Sequence, residues 1–169
     1  MDRIISGMLT ALLAMVFATA AAAGALPRPQ GPTVLEVQGA IGKTNAEGAA
    51  LFDMEMLQAL PVARLETSTA VTDGVRSFEG FLMRDLLAHV EASGNTVTAT
   101  ALNNYVIDFD AQEFERYDVV VAYRMDGETL QPSDKGPLWI VYPRDQHTEL
   151  QDIRYDYRWV WQLMRLEIR

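Results

Sequence analysis

Residues 135–145 carry the side chains best suited to bind a flat aromatic ligand with polar edges. Lys135, Trp139, Tyr142 and Arg144 share this short and otherwise apolar run. Aromatic rings stack on such a ligand, and Lys or Arg binds its carbonyl or anionic groups. The run is therefore predicted to be a ligand-binding strand, while the alternative for Trp139 is a place in the hydrophobic core.

Several common kinds of reactive site are missing from the sequence. The chain contains no cysteine, which excludes thiolate nucleophiles, zinc–thiolate sites and iron–sulfur clusters. Its two histidines, His89 and His147, do not match a metal-ligand spacing such as H-x-x-x-H. There is also no Gly-rich phosphate loop and no nucleophile-elbow motif. These absences favour a binding function over catalysis by these mechanisms.

Further candidates for a binding site lie at the ends of the apolar runs. An Arg side chain there offers a fork of donors, and an Asn amide matches the donor–acceptor edge of a heterocycle. The alternatives are charged strand ends in water, an Asn in a turn and aromatic rings in the core. These candidates are Asn104, Tyr105, Arg124, Arg158 and Trp159, whereas Trp161 is expected to be a core residue.

The charge of the chain restricts its partners. The formal net charge is −9, whereas a nucleic-acid-binding protein is expected to carry a basic face, so we expect no nucleic-acid partner. The acids are concentrated in residues 36–123, while residues 124–169 hold cations and acids in nearly equal numbers. This distribution predicts a small cationic pocket within an acidic protein.

The N-terminal residues are typical of an export signal. Residues 4–23 are mostly apolar and end in alanines that signal peptidase accepts, with cleavage after Ala20 or Ala23. An uncleaved N-terminal anchor is the alternative. The prolines of residues 24–32 predict an exposed, extended linker. Residues 33–169 are then one domain, which does not span a membrane once residues 1–23 are removed.

Alternating and continuous apolar runs predict many short strands and a few short helices. The fold class is therefore α+β and β-rich. Residues 41–50 are expected to form a loop, and Asp126 with Gly127 is expected to form a hairpin turn. The predicted strands are 33–40, 62–71, 77–81, 96–102, 105–109, 119–123 and 138–142, and the predicted helices are 54–60, 82–92 and 110–115.

Five segments are more specific in combination than any one of them is alone. They are 78–87 (FEGFLMRDLL), 102–105 (LNNY), 122–127 (AYRMDG), 134–143 (DKGPLWIVYP) and 160–163 (VWQL). Together they resemble the sulfite-oxidase-type molybdopterin-binding domain family, and in particular its small, stand-alone periplasmic members. The resemblance extends over residues 34–168 and implies a single domain of mixed sheets with a few short helices.

The resemblance also places a cysteine that this chain lacks. In the family's enzymes, molybdenum is held by a pterin dithiolene and one protein cysteine, whose segment aligns here near Ser68 and Thr69. These residues offer only hydroxyls, which are poor substitutes for thiolate on a soft-ligated metal. We therefore expect no molybdenum and no enzymatic activity. The alternative is a molybdopterin-dependent oxidoreductase, or a subunit of one, without the Cys ligand.

The small family members without this cysteine resemble periplasmic pterin-binding proteins. The resemblance implies a non-catalytic ligand sensor in the periplasm, which regulates a membrane diguanylate cyclase or phosphodiesterase through its periplasmic domain. It would thereby control cyclic di-GMP and biofilm formation. Its ligand would be a pterin of unspecified oxidation state. The residues that the motifs imply for binding are Asn104, Tyr105, Arg124, Lys135, Trp139, Tyr142, Arg144, Arg158 and Trp159.

Overall fold

A computed structural model describes residues 25–169 of the chain. The predicted export signal lies outside the described residues, so its existence and the boundary of the domain stay predictions. No helix within the described part of the chain is long and apolar enough to cross a membrane.

The described residues form a β-rich domain with two sheets, which confirms the predicted fold class. Both sheets contribute side chains to one hydrophobic core. The strands are β1 Leu35–Gly39, β2 Ala49–Phe52, β3 Val62–Ser68, β4 Val75–Leu82, β5 Thr96–Ala101, β6 Val106–Asp110, β7 Val120–Met125, β8 Glu128–Thr129, β9 Trp139–Val141 and β10 Leu163–Ile168.

The first sheet has five strands in the order β2-β1-β10-β5-β6. β1 pairs in parallel with β10, the last strand along the chain, and Val37 lies beside Leu166. The other pairings in this sheet are antiparallel. In β1 the side chains of Leu35 and Val37 are buried, as the alternation in the sequence predicted. Joining β1 to β10 fixes the segment before β10 against the body of the domain.

The second sheet contains β3, β4, β7 and β8 in that order, and β9 pairs with β7. A register shift between Glu79 and Gly80 bulges β4 against β7. A Cβ atom on Gly80 would lie 2.0 Å from the carbonyl oxygen of Val121, so only glycine fits there. The rings of Phe78 and Trp139 then pack edge to face, with centroids 5.3 Å apart in the core.

The helices are short and lie where the sequence predicts them. They are α1 Met54–Gln58, α2 Met83–His89 and α3 Gln112–Arg116. Asp53 caps α1, as predicted, because its Oδ1 accepts a hydrogen bond from Met56 N over 2.9 Å. Three 3₁₀ turns lie between β9 and β10. They are Arg144–Gln146, Thr148–Gln151 and Ile153–Arg158.

Three local predictions are wrong. The strand predicted over residues 62–71 already ends at Ser68, so Val71 lies in the loop that follows. The loop predicted over residues 41–50 is too long, because β2 already begins at Ala49. Residues 25–32 were expected to be exposed, but Leu26 is buried in the core. The backbone amides of Gln30 and Gly31 also bind Asp53 Oδ2 over 2.7 and 2.8 Å, so this segment is attached to the domain.

Candidate functional site

An aromatic-walled cavity of about 330 Å³ lies where three distant segments meet. They are the loop after β3, the turn between β5 and β6, and the segment that leads into β10. We call it the β3–β10 cavity. Its lining residues are Val71, Asn103, Tyr105, Asp156, Tyr157, Trp159, Val160 and Trp161.

The aromatic walls of the β3–β10 cavity are held together by a hydrogen bond. The hydroxyl of Tyr105 donates to the backbone carbonyl of Tyr157 over 2.8 Å. Burial raises the pKa of Tyr105 above its ordinary value, so this hydroxyl keeps its proton. Trp159 is buried and Trp161 is half-buried beside it. Flat ligands can stack on such rings.

Two polar atoms near the cavity are buried without a hydrogen-bond partner. They are the carboxylate oxygen Oδ1 of Asp156 and the indole nitrogen Nε1 of Trp159. Buried polar groups in proteins almost always have partners, and each exception needs an explanation. An unpartnered acceptor and an unpartnered donor on residues that line a cavity are suited to a ligand with both kinds of group on its edges.

A tight turn carries the cavity residues between β5 and β6. Asn104 has a left-handed backbone with a φ of 65°, and its amide donates to Ala101 O over 3.0 Å. The side chain of Asn103 accepts a hydrogen bond from Tyr105 N over 3.0 Å. The turn brings Asn103 and Tyr105 to the cavity, while Asn104 is exposed next to it.

Among residues 25–169, no Lys or Arg lines the cavity. Lys135 comes near, because its Nζ lies 5.7 Å from the centroid of the Trp161 ring. That ammonium group already forms an ion pair with Asp134 over 2.9 Å. The cavity therefore differs from the cationic pocket that the charge distribution predicted.

A cluster of Tyr142, Glu113 and Arg158 packs against Trp159. The rings of Tyr142 and Trp159 have centroids 6.3 Å apart. The hydroxyl of Tyr142 donates to Glu113 Oε2 over 3.0 Å, and the same oxygen accepts from Arg158 Nη1. Burial, and then the charge of Glu113, raise the pKa of Tyr142 well above its ordinary value. This cluster fixes one wall and is not a part of the lining.

Arg144 binds Ser68, near which the resemblance implies the cysteine of the family's enzymes. Its Nη1 donates to Ser68 Oγ over 3.1 Å. The Ser68 hydroxyl itself donates to Asp145 Oδ1 over 2.5 Å. The hydroxyl of Thr69 lies 2.8 Å from that of Thr72. Both hydroxyls that could replace the thiolate are thus engaged within the protein.

The structure brings only some of the sequence-predicted residues together. Tyr105 and Trp159 line the cavity. Trp139 is in the core, with its ring centroid 6.4 Å from that of Trp161. Arg124 lies on β7 and pairs with Glu79 over 2.9 Å. Asn104 and Lys135 are near the cavity. Tyr142 and Arg158 belong to the charged cluster that packs against Trp159. Arg144 begins a 3₁₀ turn and contacts Ser68 at the end of β3.

Six lining residues were not among the predicted site residues: Val71, Asn103, Asp156, Tyr157, Val160 and Trp161. Val71 was placed in a strand, Trp161 was assigned to the core, and Asp156 was passed over between two tyrosines. The useful signal was the clustering of one acid with the rings of Tyr157, Trp159 and Trp161 in a short segment. The fold brings this segment to the loop after β3, which the local sequence does not reveal.

A second cavity of similar size, about 320 Å³, lies between α2 and α3. It is lined mainly by small aliphatic side chains and has no aromatic ring. It also lies away from Ser68 and the turn at Asn104. The β3–β10 cavity is therefore the better candidate for an aromatic ligand.

The chain belongs to the oxidoreductase molybdopterin-binding domain family, whose model matches residues 39–148. The match includes the loop after β3 and the turn that carries Tyr105. The segment with Asp156, Trp159 and Trp161 follows the end of the match. No curated protein sequence matches the chain.

The two halves of the family's cofactor fit this site unequally. The molybdenum half finds no thiolate, and the hydroxyl of Ser68, near which the resemblance implies the cysteine ligand, is bonded to Asp145 and Arg144. Within residues 25–169 there is also no group of three His, Cys, Asp or Glu side chains placed to hold a metal. The pterin half fits, since the cavity offers rings for stacking and its lining residue Asp156 has an acceptor, Oδ1, without a partner among the described residues.

Proposed function

We propose that this protein binds a pterin without catalysing a reaction and acts as a sensor in the periplasm. The observation that carries the proposal is the β3–β10 cavity, with its aromatic walls and the buried, unpartnered Oδ1 of Asp156. The family's cofactor contains a pterin, which supports this ligand class. The hydroxyl of Ser68 in place of a thiolate supports binding without molybdenum chemistry.

The size of the cavity supports a small ligand. Binding sites for small molecules and cofactors are typically about 300–1,000 Å³. At about 330 Å³, the cavity is near the lower end of this range. This volume suits one bicyclic ring with a short side chain better than a dinucleotide form of the cofactor.

The proposed partner is the periplasmic domain of a membrane diguanylate cyclase or phosphodiesterase. Three of the large apolar residues that are exposed on the protein, Val71, Tyr105 and Tyr157, line the cavity. Exposed apolar patches often mark binding sites for proteins. A partner that contacts these residues would be sensitive to the presence of the pterin. This arrangement supports regulation of the partner and thus of cyclic di-GMP and biofilm formation.

Titration of the purified protein with tetrahydrobiopterin and with oxidised biopterin tests the ligand. We expect quenching of tryptophan fluorescence, a raised melting temperature and a saturable heat of binding for at least one of them. Arg124→Ala should leave binding unchanged, because Arg124 pairs with Glu79 and is not among the lining residues of the cavity. Absence of binding to both compounds would contradict the proposed function.

The location and partner are tested in the bacterial cell. Fractionation and N-terminal sequencing should find the protein in the periplasm with residues 1–20 or 1–23 removed. Deleting its gene should change cyclic di-GMP levels only when the membrane partner is present. A cytoplasmic protein with an intact N-terminus would contradict this part of the proposal.

Metal analysis separates this function from a molybdopterin-dependent oxidoreductase. Protein made in a host supplied with molybdenum should be purified without denaturation and assayed by mass spectrometry of the metal. We expect far less than one molybdenum atom per chain. Stoichiometric molybdenum together with the dithiolene cofactor would overturn the proposal.

A further inference from the structure

We infer that Asp156 determines the ligand's identity by binding the edge of a 2-amino-4-oxopyrimidine ring. This inference rests on the proposed pterin-binding function and names the group that gives it specificity. In a pterin that edge presents an amino group and a ring N–H side by side. A carboxylate accepts both hydrogen bonds with its two oxygens, whereas a neutral amide offers one acceptor and one donor.

The position of Asp156 supports this role. It lies in the 3₁₀ turn Ile153–Arg158 and lines the cavity, while its Oδ1 is buried with no partner. The other acid of this segment, Asp152, is placed differently. Asp152 caps the turn and binds the guanidinium of Arg154 over 2.9 Å. The carboxylate of Asp152 is thus engaged within the protein, whereas Oδ1 of Asp156 has no partner within the described residues.

The walls around Asp156 suit stacking of a flat ring. Trp159 and Trp161 line the same cavity. Stacking on such rings tolerates any flat heterocycle and therefore does not distinguish one from another. In the described part of the chain, Asp156 is the charged residue of the lining. Discrimination between heterocycles therefore depends on hydrogen bonds, and Asp156 supplies the charged acceptor.

A matched pair of ligands isolates the contact. Pterin and lumazine have the same bicyclic ring, but lumazine carries a carbonyl where pterin carries the amino group. The carbonyl oxygen of lumazine is an acceptor where the amino group of pterin is a donor. It therefore repels the carboxylate oxygen instead of donating a hydrogen bond to it. We expect the wild-type protein to bind pterin at least about tenfold more tightly than lumazine, since hydrogen bonds to charged groups are worth about 1.5–3 kcal/mol.

The test measures both ligands by calorimetry against the wild type, Asp156→Asn and Asp152→Asn. Asp156→Asn should weaken pterin binding at least about tenfold and remove the preference over lumazine. Asp152→Asn removes the same charge from the same turn and keeps a capping side chain, so its preference should be that of the wild type. Melting temperatures check that each variant is folded.

The outcomes separate this inference from the proposed function. Equal binding of pterin and lumazine by the wild type, or a preference that survives in Asp156→Asn, would overturn the role of Asp156 and leave the pterin function standing. Guanosine, which has the same edge on a purine, is the third probe. If guanosine binds more tightly than pterin, Asp156 keeps its role but the ligand is not a pterin. No binding of any probe would contradict both proposals.

Discussion

The hydroxyl of Ser68 donates a hydrogen bond to Asp145 Oδ1 over 2.5 Å, and the backbone amide of Ser68 donates to Oδ2 over 2.6 Å. This pair of bonds joins the end of β3 to the 3₁₀ turn Arg144–Gln146. Ser68, near which the resemblance to the family's enzymes implies a cysteine, is thus a structural link in this protein.

Replacing Asp145 by Ala should lower the free energy of unfolding by about 1 kcal/mol at neutral pH, because the bonds are charge-assisted but partly exposed to water. Urea denaturation measures this difference. Asp73→Ala, an exposed carboxylate in the nearby turn after β3, is the control and should be neutral. Equal stability of the wild type and Asp145→Ala would contradict the proposed link.

The same link should depend on pH. The hydrogen bonds from Ser68, followed by the charge of Arg144, lower the pKa of Asp145 below its ordinary value. A carboxyl group whose folded-state pKa is depressed stabilises the fold above its unfolded-state pKa, and this contribution is lost as the pH falls through the folded-state pKa. The difference between wild type and Asp145→Ala should therefore shrink below about pH 4. A difference that stays constant down to pH 2 would argue against this.

The elements with a clear local pattern could be predicted from the sequence. The hairpin at Asp126 and Gly127 is an example, since both residues have the positive φ angles, 53° and 83°, that this dipeptide favours. The strand β1 and the N-cap at Asp53 are others. In each case, neighbouring residues determine the structure.

The candidate cavity could be predicted only in part. Tyr105 and Trp159 were identified by residue type, but their proximity follows from the antiparallel pairing of β5 with β10, which sets Ala101 beside Leu163 and which no local pattern encodes. The 3₁₀ turn around Asp156 was also missed, because such short turns have no hydrophobic period. Arg124 resembled a ligand-binding cation in the sequence, and its ion pair with Glu79 appears only in the structure.

The cluster behind Trp159 should be strongly coupled. Glu113→Gln would leave Arg158 without its ion-pair partner, and we expect it to lower the free energy of unfolding by about 2–3 kcal/mol. The double variant with Arg158→Met should cost less than the sum of the two single changes, because no unpaired charge remains. Chemical denaturation of all four proteins measures this coupling. Additive effects would show that the ion pair is not important for stability.

Trp159 should contribute to pterin binding in two ways, through its ring and through its unpartnered Nε1. Trp159→Leu removes both and should weaken binding at least about tenfold, since stacking alone is worth about 1–3 kcal/mol. Trp159→Phe keeps a ring and should have a smaller effect. Calorimetric titration with tetrahydrobiopterin measures these affinities. An unchanged Kd for Trp159→Leu would exclude Trp159 from the site.

A phosphate group on the ligand should not improve binding. Molybdopterin carries a phosphate, which proteins usually hold with Arg, Lys or a helix N-terminus. Within residues 25–169, no cation lines the cavity, and its charged lining residue is Asp156. Neopterin monophosphate is therefore expected to bind no more tightly than neopterin, and the affinity of neopterin should change little between low and moderate salt.

Tighter, salt-sensitive binding of the monophosphate would instead place Lys135, which contacts the Trp161 ring, at the ligand. Lys135→Met distinguishes the two cases, since it should leave neopterin binding unchanged and would abolish any gain from the phosphate.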